Sequence, residues 1–281
     1  LIDISGFAYS DQWGEKPARD ASKLVRYYRS RNKPVIFLPQ AFGPFENNKL
    51  KIHMLEIISG SNLIYARDNS SFTHLKQLIN SNIIKFCPDI TFGFSNENLK
   101  MISQTKKIAL IPNTRVVSSK LFKVTDSYVN KLENIVNGIT ADKIDILIHD
   151  DSGEDIALVK NSRVLSACNI IEINDALLLK SEIKNYRFVI GSRYHGLVAA
   201  ISQCIPVISI GWSHKYDELM NYSGQSEFNY SNKNNDISKM VKSLTDKKNH
   251  TKVSLQLQKI NANTSKSLAM MWNEVVDLLN E

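Results

Sequence analysis

Short apolar runs of strand length recur along this 281-residue chain, separated by longer segments whose apolar positions repeat every three to four residues. That alternation is the pattern of parallel sheets joined by crossover helices, so the chain reads as α/β. In the first part, strands are predicted at 1–5, 34–38, 63–66 and 83–86, and helices at 19–31, 49–59 and 70–80. A polar stretch at 95–107, with Asn96, Glu97, Asn98 and Lys100 close together, predicts a linker. A second set follows, with strands at 108–111, 144–149, 169–173, 188–191 and 206–210 and helices at 127–140, 154–167, 176–185 and 193–203. The tail, 236–281, predicts two or three helices, the last amphipathic through Leu268, Met271, Val275 and Leu278. The expected organisation is a Rossmann-like domain over 1–95, a second over 96–260, and a terminal helix at 261–281 that packs back on the first. Two such halves facing each other place ligands in the cleft between the carboxyl ends of their strands. The chain opens with Leu1 inside what reads as a buried strand, so the first domain is expected to begin further upstream.

Composition narrows the partners. With 43% hydrophobic and 22% charged residues the chain can bury a substantial core. No apolar run approaches the roughly 18 residues that span a bilayer, and no charged-then-apolar pattern opens the chain, so the cytoplasm is the expected location. Cys87, Cys168 and Cys204 are far apart and form no C-x-x-C pair, which suggests neither a disulfide framework nor a metal site. The excess of 35 Lys and Arg over 28 Asp and Glu, a formal charge of +7, favours anionic partners. Nucleic acid is the weakest of these, because no nucleic-acid module is present and the basic residues are scattered. Phosphorylated metabolites remain, and so does the anionic inner face of a membrane, through the Lys-rich stretch 233–266 or its plainer reading as a solvated helical face.

The most informative segment is Gly191-Ser192-Arg193-Tyr194-His195-Gly196. Phe188, Val189 and Ile190 lead into Gly191, and Leu197, Val198 and Ile201 follow at helical spacing, so the signal is strand, tight turn, helix, with Ser192 as the natural N-cap. The first backbone N–H groups of such a helix have no intrahelical partner, and an anion can sit there. Arg193 adds a guanidinium suited to phosphate or carboxylate, or else a surface ion pair. His195, in the first turn, can exchange protons near neutral pH, although a histidine at a helix start also serves as a cap or surface residue. The next strand ends in Gly211-Trp212-Ser213-His214-Lys215, which brings Lys215 to a neighbouring strand end as a second cation, or as a solvated lysine. Cys204 reads as packing deep in the preceding helix.

An Arg-x-His turn, a helix, a Pro-led strand and a Lys, here Arg193, His195, Pro206 and Lys215, resemble the strongest signature of the polysaccharide pyruvyltransferase family. Three weaker elements precede it in the family's order: Pro39-Gln40-Ala41-Phe42-Gly43-Pro44, Arg67-Asp68-Asn69-Ser70-Ser71 and Pro88-Asp89-Ile90-Thr91-Phe92. The resemblance covers roughly 1–215 and implies a two-domain, glycosyltransferase B-like architecture. It also implies transfer of a pyruvyl group from phosphoenolpyruvate to two hydroxyls of one sugar, as a ketal, with no metal or other cofactor. Phosphoenolpyruvate carries a carboxylate and a phosphate, so convergent cations are required. The resemblance assigns that task to Arg67, Arg193 and Lys215 beside the Gly191 and Ser192 turn, and the acid and base work to His195. Arg115, after the 108–111 strand, is a reserve donor ligand, and Gln40 belongs to the second motif. Apart from the family, Asp68 reads as a helix cap with Arg67 at a strand end. Asp11 and Trp13 are candidates for sugar contact or plain loop residues.

The sequence departs from the family pattern at Ser5-Gly6-Phe7-Ala8, where a glycine cluster is usual, at Cys204 in place of Gly, and at Trp212 in place of Tyr. The acceptor is expected to be a sugar or a lipid-linked saccharide. Two other readings stay open: a nucleotide-sugar glycosyltransferase of the same architecture, with Asp217 or Glu218 holding a ribose, and a catalytically silent binding protein.

Overall fold

The computed structural model describes residues 1–94, 107–117, 125–139, 143–211, 213–230 and 236–280. The predicted linker at 95–107 lies almost wholly outside the described residues, as do Trp212 and the start of the Lys-rich stretch. The chain divides into two compact units, Leu1–Gly93 with Asn263–Glu281, and Phe94–Ala262.

The first unit carries strands β1 (Ile2–Asp3), β2 (Ile36–Gln40), β3 (Leu63–Ala66) and β4 (Ile84–Phe86), paired in parallel in the order β1-β2-β3-β4. Helices α1 (Lys16–Arg29), α2 (Asn48–Gly60) and α3 (Asn69–Leu78) are the crossovers. Every residue of β2 and β3 is buried, as expected of strands covered on both faces. Val25, Phe37, Met54, Ile57 and Ile64 are central in the core they share with the helices. Asn47 caps α2 by accepting from the Lys49 and Leu50 amides, and Asp68 caps α3 by accepting from the Ser71 amide.

Two expectations need correction here. The strand expected to be buried at 1–5 is the two-residue β1, which among the described residues pairs with β2 alone, and Ile2 and Ile4 are 46% and 68% exposed there. Conversely β2 does not stop before Pro39. It runs on to Gln40 by shifting register against β3 between Phe37 and Gln40, so the missing Pro39 amide falls at the irregularity.

The second unit carries β5 (Ile108–Ile111), β6 (Ile144–Ile148), β7 (Asn169–Glu172), β8 (Val189–Gly191) and β9 (Val207–Ser209), all parallel in the order β7-β6-β5-β8-β9. Its helices are α4 (Thr125–Ile139), α5 (Glu154–Lys160), α6 (Ala176–Ile183), α7 (Tyr194–Ile201), α8 (His214–Tyr222) and α9 (Ile237–Thr245). The helix predicted at 154–167 is broken after Lys160. Ser162 Oγ accepts from the Leu165 amide and donates to Glu133, an alternative to the helical ladder that leaves only a short 3-10 turn at Leu165–Ala167.

Helix α10 (Lys247–Asn280) is continuous and contributes to both units, its residues from Asn263 onward belonging to the first. There Leu268, Met271 and Val275 are buried, and Glu274 accepts hydrogen bonds from Tyr65 on β3 and Lys85 on β4. Among the described residues no helix is long and apolar enough to cross a membrane.

Candidate active site

In the second sheet the chain winds outward from β5 in both directions, so the strand order reverses between β5 and β8. In open parallel sheets ligands bind at such a switch point, outside the carboxyl ends of the strands. The segments leaving those ends here are Pro112 to Arg115 after β5, and Ser192 to His195 after β8.

Ser192 is fully buried and holds the two segments together. Its amide donates to the Ile111 carbonyl (3.0 Å), and its own carbonyl accepts from Asn113 Nδ2 (2.8 Å) and from the Tyr216 hydroxyl (2.6 Å). Its Oγ shares a 2.9 Å hydrogen bond with Tyr128, whose hydroxyl also accepts from the Asn113 amide at 3.0 Å. Ser192 is therefore not the helix cap that the sequence suggests. The cap position of α7 falls on Arg193, at φ −97° and ψ 116°, without a side-chain cap bond. The Ser192 hydroxyl is instead turned inward to Tyr128. Gly191, the last residue of β8, is buried beneath the turn.

Arg193 meets the protein's own carboxylates. Its Nε and Nη2 donate to Asp155 Oδ2 at 2.8 and 2.7 Å, and Nη2 lies 3.3 Å from Asp150 Oδ1. One guanidinium against two carboxylates leaves this cluster net negative. Asp155, on α5, also accepts through Oδ1 from the Thr114 amide (2.8 Å) and hydroxyl (3.0 Å), and so joins the β5 and β8 segments from outside. His149, directly after β6, lies beside the same cluster. Burial holds its imidazole below the ordinary histidine range, with a further contribution from the Arg193 charge.

His195 is exposed in the first turn of α7, its ring edge-on to Tyr194 at 5.4 Å. Lys215 sits in the first turn of α8, after the neighbouring strand β9, with Nζ 5.5 Å from the Tyr194 ring and 5.3 Å from the Tyr216 ring. The parallel register of β8 and β9, Gly191 opposite Ser209, brings these two helix starts side by side. Arg115 is exposed on the loop after β5. The structure thus gathers Ser192, Arg193, His195 and Lys215 at one end of one sheet, with Arg115 on the adjoining loop. His149, Asp150, Asp155, Tyr128 and Tyr216 join them there without having been singled out in the sequence. His149 and Asp150 had a signal, since they immediately follow an apolar strand run; Asp155 reads only as an acidic residue in a first helical turn.

Cys204 also differs from expectation. It lies beyond the end of α7, at φ 63°, a left-handed conformation, with Asn261 Nδ2 3.3 Å from its sulfur. That conformation accounts for a glycine at this place in the family pattern.

In the first unit the three upstream motifs interlock. The buried Arg67 donates through Nη1 to the buried Asp89 at 2.9 Å, and its amide donates to the Gln40 carbonyl at 3.0 Å. Ser71 Oγ accepts from the Phe42 amide at 2.8 Å. Gln40 is buried and donates through Nε2 to Asp3 at 2.9 Å. Asp11 accepts from the Glu46 and Asn47 amides and so closes the turn after Pro44, while Trp13 is half-exposed, edge-on to Phe7.

Each unit is a parallel sheet with crossover helices, and the fold is of the glycosyltransferase B type. Solved structures share this fold at low identity. One is the S. aureus MnaA structure with UDP, at 10% identity over 95% of this chain and 82% of that one, with a TM-score of 0.56. Another contains accessory secretory proteins 1, 2 and 3 of Streptococcus pneumoniae, at 14% identity over 92% and 57%, TM-score 0.55. A third is the UDP-GlcNAc 2-epimerase of Methanocaldococcus jannaschii, at 13% identity over 91% and 74%, TM-score 0.50. The chain spans only 55% to 58% of the length of three such structures, the Thermobaculum terrenum O-GlcNAc transferase among them. No curated protein matches the sequence. Within this fold the chain belongs to the polysaccharide pyruvyl transferase family, whose model matches residues 5–214.

Proposed function

We propose that this protein transfers a pyruvyl group from phosphoenolpyruvate to two hydroxyls of one sugar, forming a ketal during assembly of a cell-surface polysaccharide or exopolysaccharide. Family membership supports the reaction class. The observation that carries the reading is the placement of His195 and Lys215 in the first turns of adjacent helices at the switch-point end of the second sheet. In this reading the first-turn amides of α7 and the Lys215 ammonium receive the donor's anionic groups, with Arg115 in reserve. Arg193, already engaged by two carboxylates, and Arg67, paired with Asp89, serve the architecture first.

One acceptor hydroxyl adds to the central carbon of the donor while a proton is delivered to its methylene carbon, which becomes the methyl group. The second hydroxyl then displaces phosphate from the same carbon and gives up its proton. His195 performs this proton work. The proposed chemistry calls on no metal and no cofactor besides the donor. A lipid-linked acceptor at the inner membrane face is part of the proposal, supported by exposed Lys239, Lys242, Lys247, Lys248 and Lys252 on α9 and the start of α10. For the nucleotide-sugar alternative, Asp217 is a poor ribose ligand, since its Oδ1 accepts from Asn229 Nδ2 at 2.6 Å.

The test incubates purified protein with phosphoenolpyruvate and a panel of galactosyl, mannosyl and glucosyl acceptors, scoring phosphate release and ketal formation. His195→Ala is expected to abolish transfer while retaining donor binding. Turnover of a nucleotide sugar in place of phosphoenolpyruvate would overturn the reading. Donor binding without any transfer would support the silent-protein alternative.

A further inference from the structure

One carboxylate joins the two loops of the switch point. Asp155 is fully buried, yet it accepts hydrogen bonds from the Thr114 amide, the Thr114 hydroxyl, and Arg193 Nε and Nη2. A buried charge is tolerated where both its oxygens are satisfied. Here they are satisfied by two different loops, Oδ1 by the segment after β5 and Oδ2 by the segment after β8. The regular pairing of the two strands ends at Ile111 and Gly191. Ser192 ties the segments just beyond it, at Ile111 and Asn113, and Asp155 adds a second tie further out, at Thr114 and Arg193.

We propose that Asp155 is a positioning residue, fixing the Thr114–Arg115 loop against the Arg193–His195 turn, and that Arg193 acts through Asp155 and Asp150 and not as a ligand of the donor. The geometry favours this over donor contact. The Nε and Nη2 edge of the guanidinium is the face suited to bidentate recognition, and Asp155 occupies it. An incoming dianion would have to displace a buried carboxylate from that edge while approaching a cluster that is already net negative. Holding residue 193 at two points also fixes the start of α7, and with it the direction from which His195, two residues on, reaches the site.

The proposal rests on the pyruvyl-transfer reading for its kinetic test but not for its structural one. Steady-state kinetics with phosphoenolpyruvate on Asp155→Asn and Arg193→Lys are expected to show kcat lowered by about tenfold or more, with the donor KM changed less than about threefold. The double variant is expected to fall short of the product of the two single effects, because both substitutions weaken the shared Arg193–Asp155 contact. A donor KM raised about tenfold with kcat retained in Arg193→Lys would make Arg193 a donor ligand and overturn the proposal, as would effects that multiply in the double variant. Should Asp155→Asn fail to fold, Thr114→Val removes one hydroxyl donor and carries the same prediction at smaller amplitude. Amide hydrogen exchange needs no substrate. Loss of protection in both 113–116 and 192–197 upon Asp155→Asn supports the latch, and loss in one segment alone overturns it. A wild-type protein that turns over no phosphoenolpyruvate defeats the functional reading, and the exchange result still decides this one.

Discussion

Replacing Arg67 by alanine separates structural from ligand roles in the first unit. The side chains of Arg67 and Asp89 are 4% and 5% exposed, and Nη1 lies 2.9 Å from Asp89 Oδ2. Truncating the arginine removes the Nη1 contact from that buried oxygen. Removing one partner of a buried ion pair costs about 3–5 kcal/mol, because the remaining charge is uncompensated. Asp89 keeps the Thr91 amide (3.0 Å) and hydroxyl (2.7 Å) on Oδ1, which places the expectation at the low end, about 3 kcal/mol. Urea unfolding of wild type, Arg67→Ala, and the double variant Arg67→Met with Asp89→Leu measures it. The double variant, which removes both charges, is expected to lose less than the single one. A loss below about 1 kcal/mol in Arg67→Ala, the scale of an exposed pair, would refute the reasoning. If the stability were unchanged while the donor KM rose, Arg67 would be a donor ligand after all.

Three further outcomes follow from particular contacts. At Gly211 an added Cβ would lie 2.3 Å from Tyr216 Cβ, so Gly211→Ala is expected to cost about 1–3 kcal/mol in unfolding and to lower activity by displacing the ring between Ser192 and Lys215; wild-type activity would contradict that placement. Cys204→Gly relieves a left-handed residue and is expected to stabilise by about 0.5–1 kcal/mol in urea unfolding, the loss of the Asn261 contact being smaller; a destabilised variant would count against it. Hydrogen bonds from Lys85 and then Tyr65 hold the Glu274 carboxyl below the ordinary glutamate value of 4.5. A depressed folded-state pKa gives stability that is present above 4.5 and is lost as pH falls through the folded value, so melting temperatures should drop more steeply below that pH in wild type than in Glu274→Gln. Parallel curves would remove Glu274 as a source of acid sensitivity.

Much of this molecule is determined by local sequence. Strand and helix positions follow from run length and periodicity, which is why Leu63–Ala66 and Ile108–Ile111 agree with the sequence reading to the residue. The Asp68 cap is equally legible, because a cap bonds to its own following turn. So is the strand, turn and helix that carry His195, since Gly191 ends an apolar run and an apolar helix follows. Where local signals compete, that reading fails: Pro39 looked like a strand end until β3 supplied a register shift, and Ser162 broke a helix that periodicity alone would extend.

Only the tertiary structure decided what the site residues face. Strand order is set by which apolar faces pack, and it alone makes the β5 and β8 ends a switch point. The partners of Arg193 lie 38 and 43 residues earlier in the chain, at Asp155 and Asp150, and that of Arg67 lies 22 residues later, at Asp89. No spacing rule links such pairs, since the intervening elements must fold before either charge has a neighbour. The sequence by itself determined that an arginine and a histidine begin a helix after a strand in this chain. Folding decided that the histidine is exposed while the arginine is held by two carboxylates, because a charge leaves water only where the packed chain has already placed its counter-charge.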